Sequence, residues 1–234
     1  PVSPLLSPRE IVHQLNDSGA QTIISLDLVY PGIASVMPET PVKNIITTSI
    51  ADCYSAVIQP LKPIGKFPVP GTIEFVKLLA DNPPKAPEVE IDIEEDLAHL
   101  AYTGGTTGVS KGVMLTHRNV VANSLQFGLW FNGAQVEEKN GGYELVYPEG
   151  VDPKKDRLAA RDQEVSLVVV PWFHAMGTIG YLNNMVGSGN TMIVFPRFDP
   201  LEYATSIKKY GATTLGGAPQ LYVPLVELPD FAKY

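Results

Sequence analysis

One cysteine, Cys53, stands among 234 residues, so no internal disulfide can form and a reducing compartment, the cytoplasm, is the expected setting. Its expected role is packing. No apolar run approaches the roughly 18 residues needed to cross a bilayer, and no signal-peptide pattern opens the chain. A soluble protein is therefore expected, which leaves peripheral contact with a membrane surface open. Basic residues are also few. Seventeen Lys and Arg against 25 Asp and Glu give a formal net charge of −8, which argues against a nucleic-acid surface but not against a locally basic pocket. What is abundant is apolar: 44% hydrophobic residues support one or two domains with a real core. The chain opens without methionine and stops at Tyr234 without a turn or cap, which reads as a piece of a longer protein.

The most informative stretch is residues 102–112, Tyr-Thr-Gly-Gly-Thr-Thr-Gly-Val-Ser-Lys-Gly. An apolar run at 97–101 reads as the strand before it, and 113–115 are strand-like before Thr116, which can cap a helix. Glycine lets backbone N–H groups turn inward, threonine hydroxyls add donors, and lysine adds a point charge, so the loop suits a phosphate-like anion. A Gly-Thr-rich turn can also join two strands with no ligand. It is not a Walker loop, because Ser110 precedes Lys111 and no helix follows at once, and the spacing Gly-x-Gly-x-x-Gly is absent.

Strand and helix signals alternate along the chain as in a parallel sheet. Ser7-Pro8-Arg9-Glu10 is a capping box with proline at the first helical position, and Gly19 closes that helix. A buried strand is expected at 22–26, a short helix at 30–37 and a second strand at 43–47. Prolines at 60, 63, 68 and 70 mark a linker over 59–70, a helix is expected at 72–80, and the acidic run 88–96 reads as a solvated approach. The pair Glu94 and Glu95 could bind a metal but reads as surface charge. Residues 117–131 have helical spacing of apolar positions and are expected to pack on the sheet. The polar stretch 132–162 reads as a surface insertion.

Residues 165–170, Val-Ser-Leu-Val-Val-Val, form the strongest central strand and deliver Pro171-Trp172-Phe173-His174 to the carboxyl edge, where ligands of open α/β sheets gather. Helices are then expected at 176–186, 200–210 and 219–228, and strands at 191–195 and 213–215. Gly216-Gly217-Ala218 reads as a tight strand-to-helix turn.

These motifs together resemble the adenylate-forming (AMP-binding) acyl-CoA synthetases, whose phosphate loop reads roughly Tyr-Thr-Ser-Gly-Thr-Thr-Gly-x-Pro-Lys-Gly-Val. Residues 102–119 match it closely, 4–20 resemble a segment upstream of it, and 171–174 match a Pro-x-Phe-His motif. Two positions depart: Gly104 replaces Ser or Thr, and Ser110 replaces Pro, so a more mobile loop is expected. The resemblance implies the layered α/β sheets of the large N-terminal domain, of which residues 1–234 would be part. The adenine and ribose motifs, the metal-binding glutamate and the C-terminal domain with its catalytic lysine would lie elsewhere, and the piece alone would be inactive.

By the same resemblance, the parent protein converts a carboxylic acid, expected to be a medium- or long-chain fatty acid, to an acyl-adenylate with ATP and Mg²⁺. It then transfers the acyl group to coenzyme A. Thr103, Gly104, Gly105, Thr106, Thr107, Gly108 and Lys111 would hold the phosphates, with Thr103 nearest the metal. His174 and Lys111 would be the catalytic residues, and Trp172, His174, Gly177, Gly216 and Gly217 would line the acyl pocket. Two other functions fit the residues: a nucleotide-binding module without ligase chemistry, and a ligase that passes its acyl-adenylate to a carrier protein.

Overall fold

A computed structural model describes residues 1–53, 65–103, 109–152, 155 and 163–234. The chain divides into two compact units, one of Val2–Asp92 and Leu100–Met114, the other of Pro1, Ile93–His99 and Leu115–Tyr234.

The first unit is organised by helix α1, Pro8–Ser18. Ser7 caps it by accepting from the Glu10 N–H while the Glu10 carboxylate accepts from the Ser7 N–H, and Gly19 ends it at φ +64°. The side-chain and backbone hydrogen bonds from Ser7 hold the Glu10 carboxyl below its usual range. Ile11 and Leu15, four apart, form a core with Ile33, Val36 and Met37. Ile33 comes from α2, Tyr30–Ala34, Met37 from the 3₁₀ turn Met37–Glu39, and Val36 is the residue before that turn; the two elements occupy the stretch where one short helix was expected.

Strands β1, Thr22–Leu26, and β2, Asn44–Thr48, pair in parallel, and β2 pairs in parallel with a two-residue strand β3, Ile73–Glu74. Burial of β1 is one-sided: Ser25 is buried, while Ile24 and Leu26 are exposed. Helix α3, Phe75–Asp81, starts later than its sequence signal because Ile73 and Glu74 are claimed by β2. Residues 65–69 of the expected linker are irregular, and the rest of that segment up to 64 lies outside the described residues.

Strands β4, Leu97–Tyr102, and β5, Gly112–Thr116, are neighbours on either side of the glycine-threonine stretch. Helix α4, His117–Asn132, follows with Thr116 as N-cap and Gly133 as left-handed C-cap. It packs on the helical segment 176–187, and Val121 and Leu125 of its expected packing face are exposed. The stretch expected to be a plain insertion contains an antiparallel pair, β6, Gln135–Lys139, and β7, Gly142–Val146. Its turn places Asn140 and Gly141 at φ 56° and 76°, the positive angles that two-residue hairpin turns demand.

The second unit centres on the parallel sheet β10-β8-β9. Its middle strand β8, Val165–Val168, lies between β9, Thr191–Val194, and β10, Thr214–Leu215. Ser166, Leu167 and Val168 have no exposed surface. Helix α6, Pro200–Tyr210, is capped by Asp199 and ends at left-handed Gly211. It inserts Tyr203 and Ala204 against Leu167, Phe195 and Leu225, and the Tyr203 hydroxyl donates to the Leu167 carbonyl at 3.0 Å. Helix α7, Pro219–Val226, supplies Leu225. At the amino edge of the sheet the buried Glu164 carboxylate accepts from the hydroxyls of Thr213 and Thr214, tying the start of β8 to β10.

Candidate functional site

The stem of the glycine-threonine loop is closed by a compact network inside the first unit. The Thr103 N–H donates to the Lys111 carbonyl at 3.0 Å, and the Ser110 hydroxyl donates to the Thr103 carbonyl at 2.5 Å. Chain entry and exit therefore meet at one place, with Thr103 and Lys111 side by side. The expectation that Ser110, standing where the family has proline, loosens the loop is offset here, since its hydroxyl links the two arms. Gly104, Gly105, Thr106, Thr107 and Gly108 lie outside the described residues. Thr103 is exposed, and its hydroxyl makes only a long 3.4 Å contact with the Lys111 carbonyl, which leaves oxygen lone pairs for another partner.

Tyr102, the last residue of β4, anchors the same stem. Its hydroxyl donates to Asp17 Oδ2 at 2.7 Å, and burial, aided by this bond and the Asp17 charge, raises its ionisation to about 12. Gly112 makes the approach feasible, because a Cβ there would lie 3.1 Å from the Tyr102 ring.

In the second unit, β8 and β10 are parallel neighbours, and the residues beyond their carboxyl ends are 171–174 and 216–218. The sequence therefore brings Trp172, His174, Gly216 and Gly217 to one sheet edge. His174 opens a tight turn: its N–H donates to the Pro171 carbonyl, and its own carbonyl accepts from Gly177 and Thr178. The Thr178 hydroxyl donates to the Trp172 carbonyl. His174 Nδ1 accepts from the Met176 N–H at 3.2 Å, which places a ring proton on Nε2 of this exposed histidine.

The room expected beside the glycines is taken by the chain itself. A Cβ on Gly177 would collide with the Pro171 carbonyl, one on Gly216 with the Tyr181 hydroxyl, and one on Gly217 with Leu221. An open apolar groove of about 420 Å³ lies one turn further along. The segment Met176–Asn183 is wound as a π-helix and runs into α5, Asn184–Gly187. Met176, Ile179 and Gly180 form one wall of the groove, and Leu115, Val120 and Phe127 the other. Sequence reading missed the α4 contribution, although Val120 and Phe127, seven apart, share a helical face.

No group of three or more His, Cys, Asp or Glu side chains suited to a metal occurs among the described residues. Glu94 is instead paired with Arg118 at 2.7 Å. No described helix is long and apolar enough to cross a membrane.

Comparison with known proteins shows the family and the fold. The model of the AMP-binding enzyme family matches residues 1–234, and the chain belongs to that family. It is 32% identical over 99% of its length to a long-chain-fatty-acid–CoA ligase of Bacillus subtilis, covering 39% of that protein. Among solved structures it resembles a long-chain-fatty-acid-CoA ligase from Archaeoglobus fulgidus, with TM-score 0.69, 26% identity, 97% of this chain and 36% of that one covered. It also shares the fold of an anthranilate CoA ligase solved with anthranoyl-AMP, at TM-score 0.74 and 20% identity, over 100% of this chain and 37% of that one. The chain thus spans about two fifths of the length of the curated relatives it matches. The fold is the α/β architecture of adenylate-forming enzymes, as the sequence implied.

Proposed function

We propose that the protein containing this chain activates a fatty acid with ATP and passes the acyl group to coenzyme A. The carboxylate oxygen attacks the α-phosphorus, the bond to pyrophosphate breaks, and the coenzyme A thiol then attacks the acyl carbonyl with departure of AMP. The observation that carries this reading is the closed stem, in which Thr103 and Lys111 meet at the mouth of the glycine-threonine stretch. Preorganised donors and a cation at such a point stabilise charge on transferring phosphate groups.

The Lys111 ammonium would neutralise phosphate oxygens, with Thr103, Thr106 and Thr107 as hydroxyl donors beside the amides of Gly104, Gly105 and Gly108. Mg²⁺ characteristically binds through one or two protein oxygens plus substrate phosphates. That habit fits a chain with an exposed Thr103 hydroxyl and, among the described residues, no group of three or more His, Cys, Asp or Glu side chains placed to hold a metal. Mg²⁺ would supply Lewis-acid neutralisation of the phosphates.

The acyl chain is assigned to the apolar groove lined by Val120, Phe127, Met176, Ile179 and Gly180. Its volume falls within the roughly 300–1,000 Å³ of small-molecule sites. Each methylene transferred from water would contribute about 0.8 kcal/mol. His174, with Nε2–H available as a donor, is assigned to the reacting carboxyl group. The one-cysteine composition suits a cytoplasmic enzyme.

The test is acid-dependent exchange of pyrophosphate into ATP by the whole protein, followed by product analysis with coenzyme A. Exchange together with acyl-CoA is the expected result. Exchange without a thioester product would assign the acyl group to a carrier protein, and ATP binding without exchange would leave a nucleotide-binding module.

A further inference from the structure

Helix α1 lies far upstream of the glycine-threonine stretch in sequence, yet one of its faces grips both arms of the stem. His13 and Asp17 are four residues apart and so share that face. His13 Nε2 donates to the Ser110 carbonyl at 2.8 Å, and Asp17 Oδ2 accepts from the Tyr102 hydroxyl at 2.7 Å. A carbonyl can only accept, so the His13 proton sits on Nε2. Tyr102 ends the arm that leads into the stretch, and Ser110 begins the arm that leads out. Between these anchors lie the two bonds that close the stem, Thr103 N–H to Lys111 and Ser110 hydroxyl to Thr103.

The helix that carries these two side chains is itself fixed. Its first turn is locked by the Ser7–Glu10 capping box and its last by left-handed Gly19. Its inner face is held by Ile11 and Leu15, each 3% exposed. A position set by α1 is therefore transmitted to the stem without slack from the helix.

We propose that His13 and Asp17 are positioning residues for phosphate binding, acting through Ser110 and Tyr102 to fix the approach of Thr103 and Lys111. This rests on the reading of residues 102–112 as the phosphate site. Gly112 belongs to the same device, since it lets the Tyr102 ring cross the exit arm to reach Asp17. Ser110 belongs to it as well, offering a carbonyl to His13 and a hydroxyl to Thr103. The clamp acts on the separation of the two arms, so its loss should weaken ATP binding and leave use of the carboxylic acid untouched.

The experiment compares Asp17→Ala, Asp17→Asn, Tyr102→Phe, His13→Ala and His13→Gln in the whole protein, with Lys111→Ala alongside. KM for ATP and KM for the acid are measured separately by pyrophosphate exchange. Loss of one hydrogen bond predicts about a fivefold rise in KM for ATP in Asp17→Ala, Tyr102→Phe and His13→Ala, with KM for the acid unchanged. Asp17→Asn and His13→Gln, which keep an acceptor and a donor, should recover most of it. The Asp17→Ala, Tyr102→Phe double variant should be no worse than Tyr102→Phe alone, which already removes the bond to Asp17 together with a 3.4 Å contact to the Gln14 carbonyl.

Unchanged KM for ATP in Tyr102→Phe and His13→Ala, with Lys111→Ala defective, would overturn the clamp and leave the phosphate-site reading standing. Equal rises in KM for ATP and acid would also overturn it, as a general loosening. A normal Lys111→Ala would remove the phosphate-site reading and the clamp with it. Should Asp17→Ala fail to fold, Tyr102→Phe, which removes a single oxygen, decides the matter.

Discussion

The Tyr181 hydroxyl occupies the space that a side chain on Gly216 would fill. Tyr181 belongs to the π-helical segment and Gly216 to the turn after β10, so the glycine exists to let the ring reach the sheet edge. Burial, with the nearby Tyr222, raises the Tyr181 ionisation to about 12. Gly216→Ala should therefore lower stability by about 1–3 kcal/mol, as overpacked sites do. In the background Tyr181→Leu the same change should be nearly neutral, and urea denaturation of the four proteins reads the coupling. Additive effects would show that the two residues do not share the space.

The phosphate residues make a sharper demand on the whole protein. A hydrogen bond to a charged group is worth about 1.5–3 kcal/mol, so Thr106→Ala or Thr107→Ala should reduce ATP-dependent turnover about tenfold or more. Lys111→Ala should act at least as strongly, since Lys111 stands at the closed stem. His174→Ala should lower turnover for acids of every chain length. Normal ATP dependence in all three loop variants would make the stretch a structural turn.

Tyr102 predicts a pH effect whose sign follows from its surroundings. Its ionisation is raised to about 12 by burial and by the bond to Asp17, against about 10 in an unfolded chain. The fold thus favours the neutral phenol. That contribution is fully present below pH about 10 and is lost as pH rises from there through about 12. In an ultraviolet titration, the difference between the wild-type protein and Tyr102→Phe should show one tyrosine ionising near the upper value. A difference curve centred at the ordinary tyrosine value would detach Tyr102 from Asp17.

Local signals were the legible ones. Ser7 with Glu10, Thr116, Asp199, Gly19 and Gly211 all act within a few residues of themselves, and each starts or ends a helix where the sequence placed it. The Val-rich strand β8 was legible for a related reason, since a run apolar at every position but Ser166 suits a place covered on both faces. What escaped depends on distant partners. Ile73 and Glu74 become a strand only because β2 is beside them. The hairpin at 135–146 carried a readable cue, Asn140-Gly141, inside an otherwise polar stretch. The site divided along the same line: the Gly-Thr stretch was plain from composition, while the grip of α1 on its stem joins residues 85 and 97 positions apart.

Gly177 and Gly180 lie three residues apart in one helical segment, yet they should respond oppositely to added bulk. Gly177 is buried beneath the Pro171 backbone, which cannot move aside like a flexible side chain. Gly177→Ala should thus destabilise by about 1–3 kcal/mol. At Gly180 a new Cβ would meet only the Met176 Cγ at 3.8 Å, an ordinary contact. Gly180→Ala removes helix-interior glycine and should be neutral or stabilising by about 0.5–1 kcal/mol. Gly180 also lines the apolar groove, so the larger change Gly180→Leu projects into space assigned to the acyl chain. In the whole protein it should leave KM for ATP unchanged and shift preference to shorter acids, with about 0.8 kcal/mol lost for each methylene excluded. A chain-length profile unaltered by Gly180→Leu, in a protein that folds normally, would move the acyl site away from this groove.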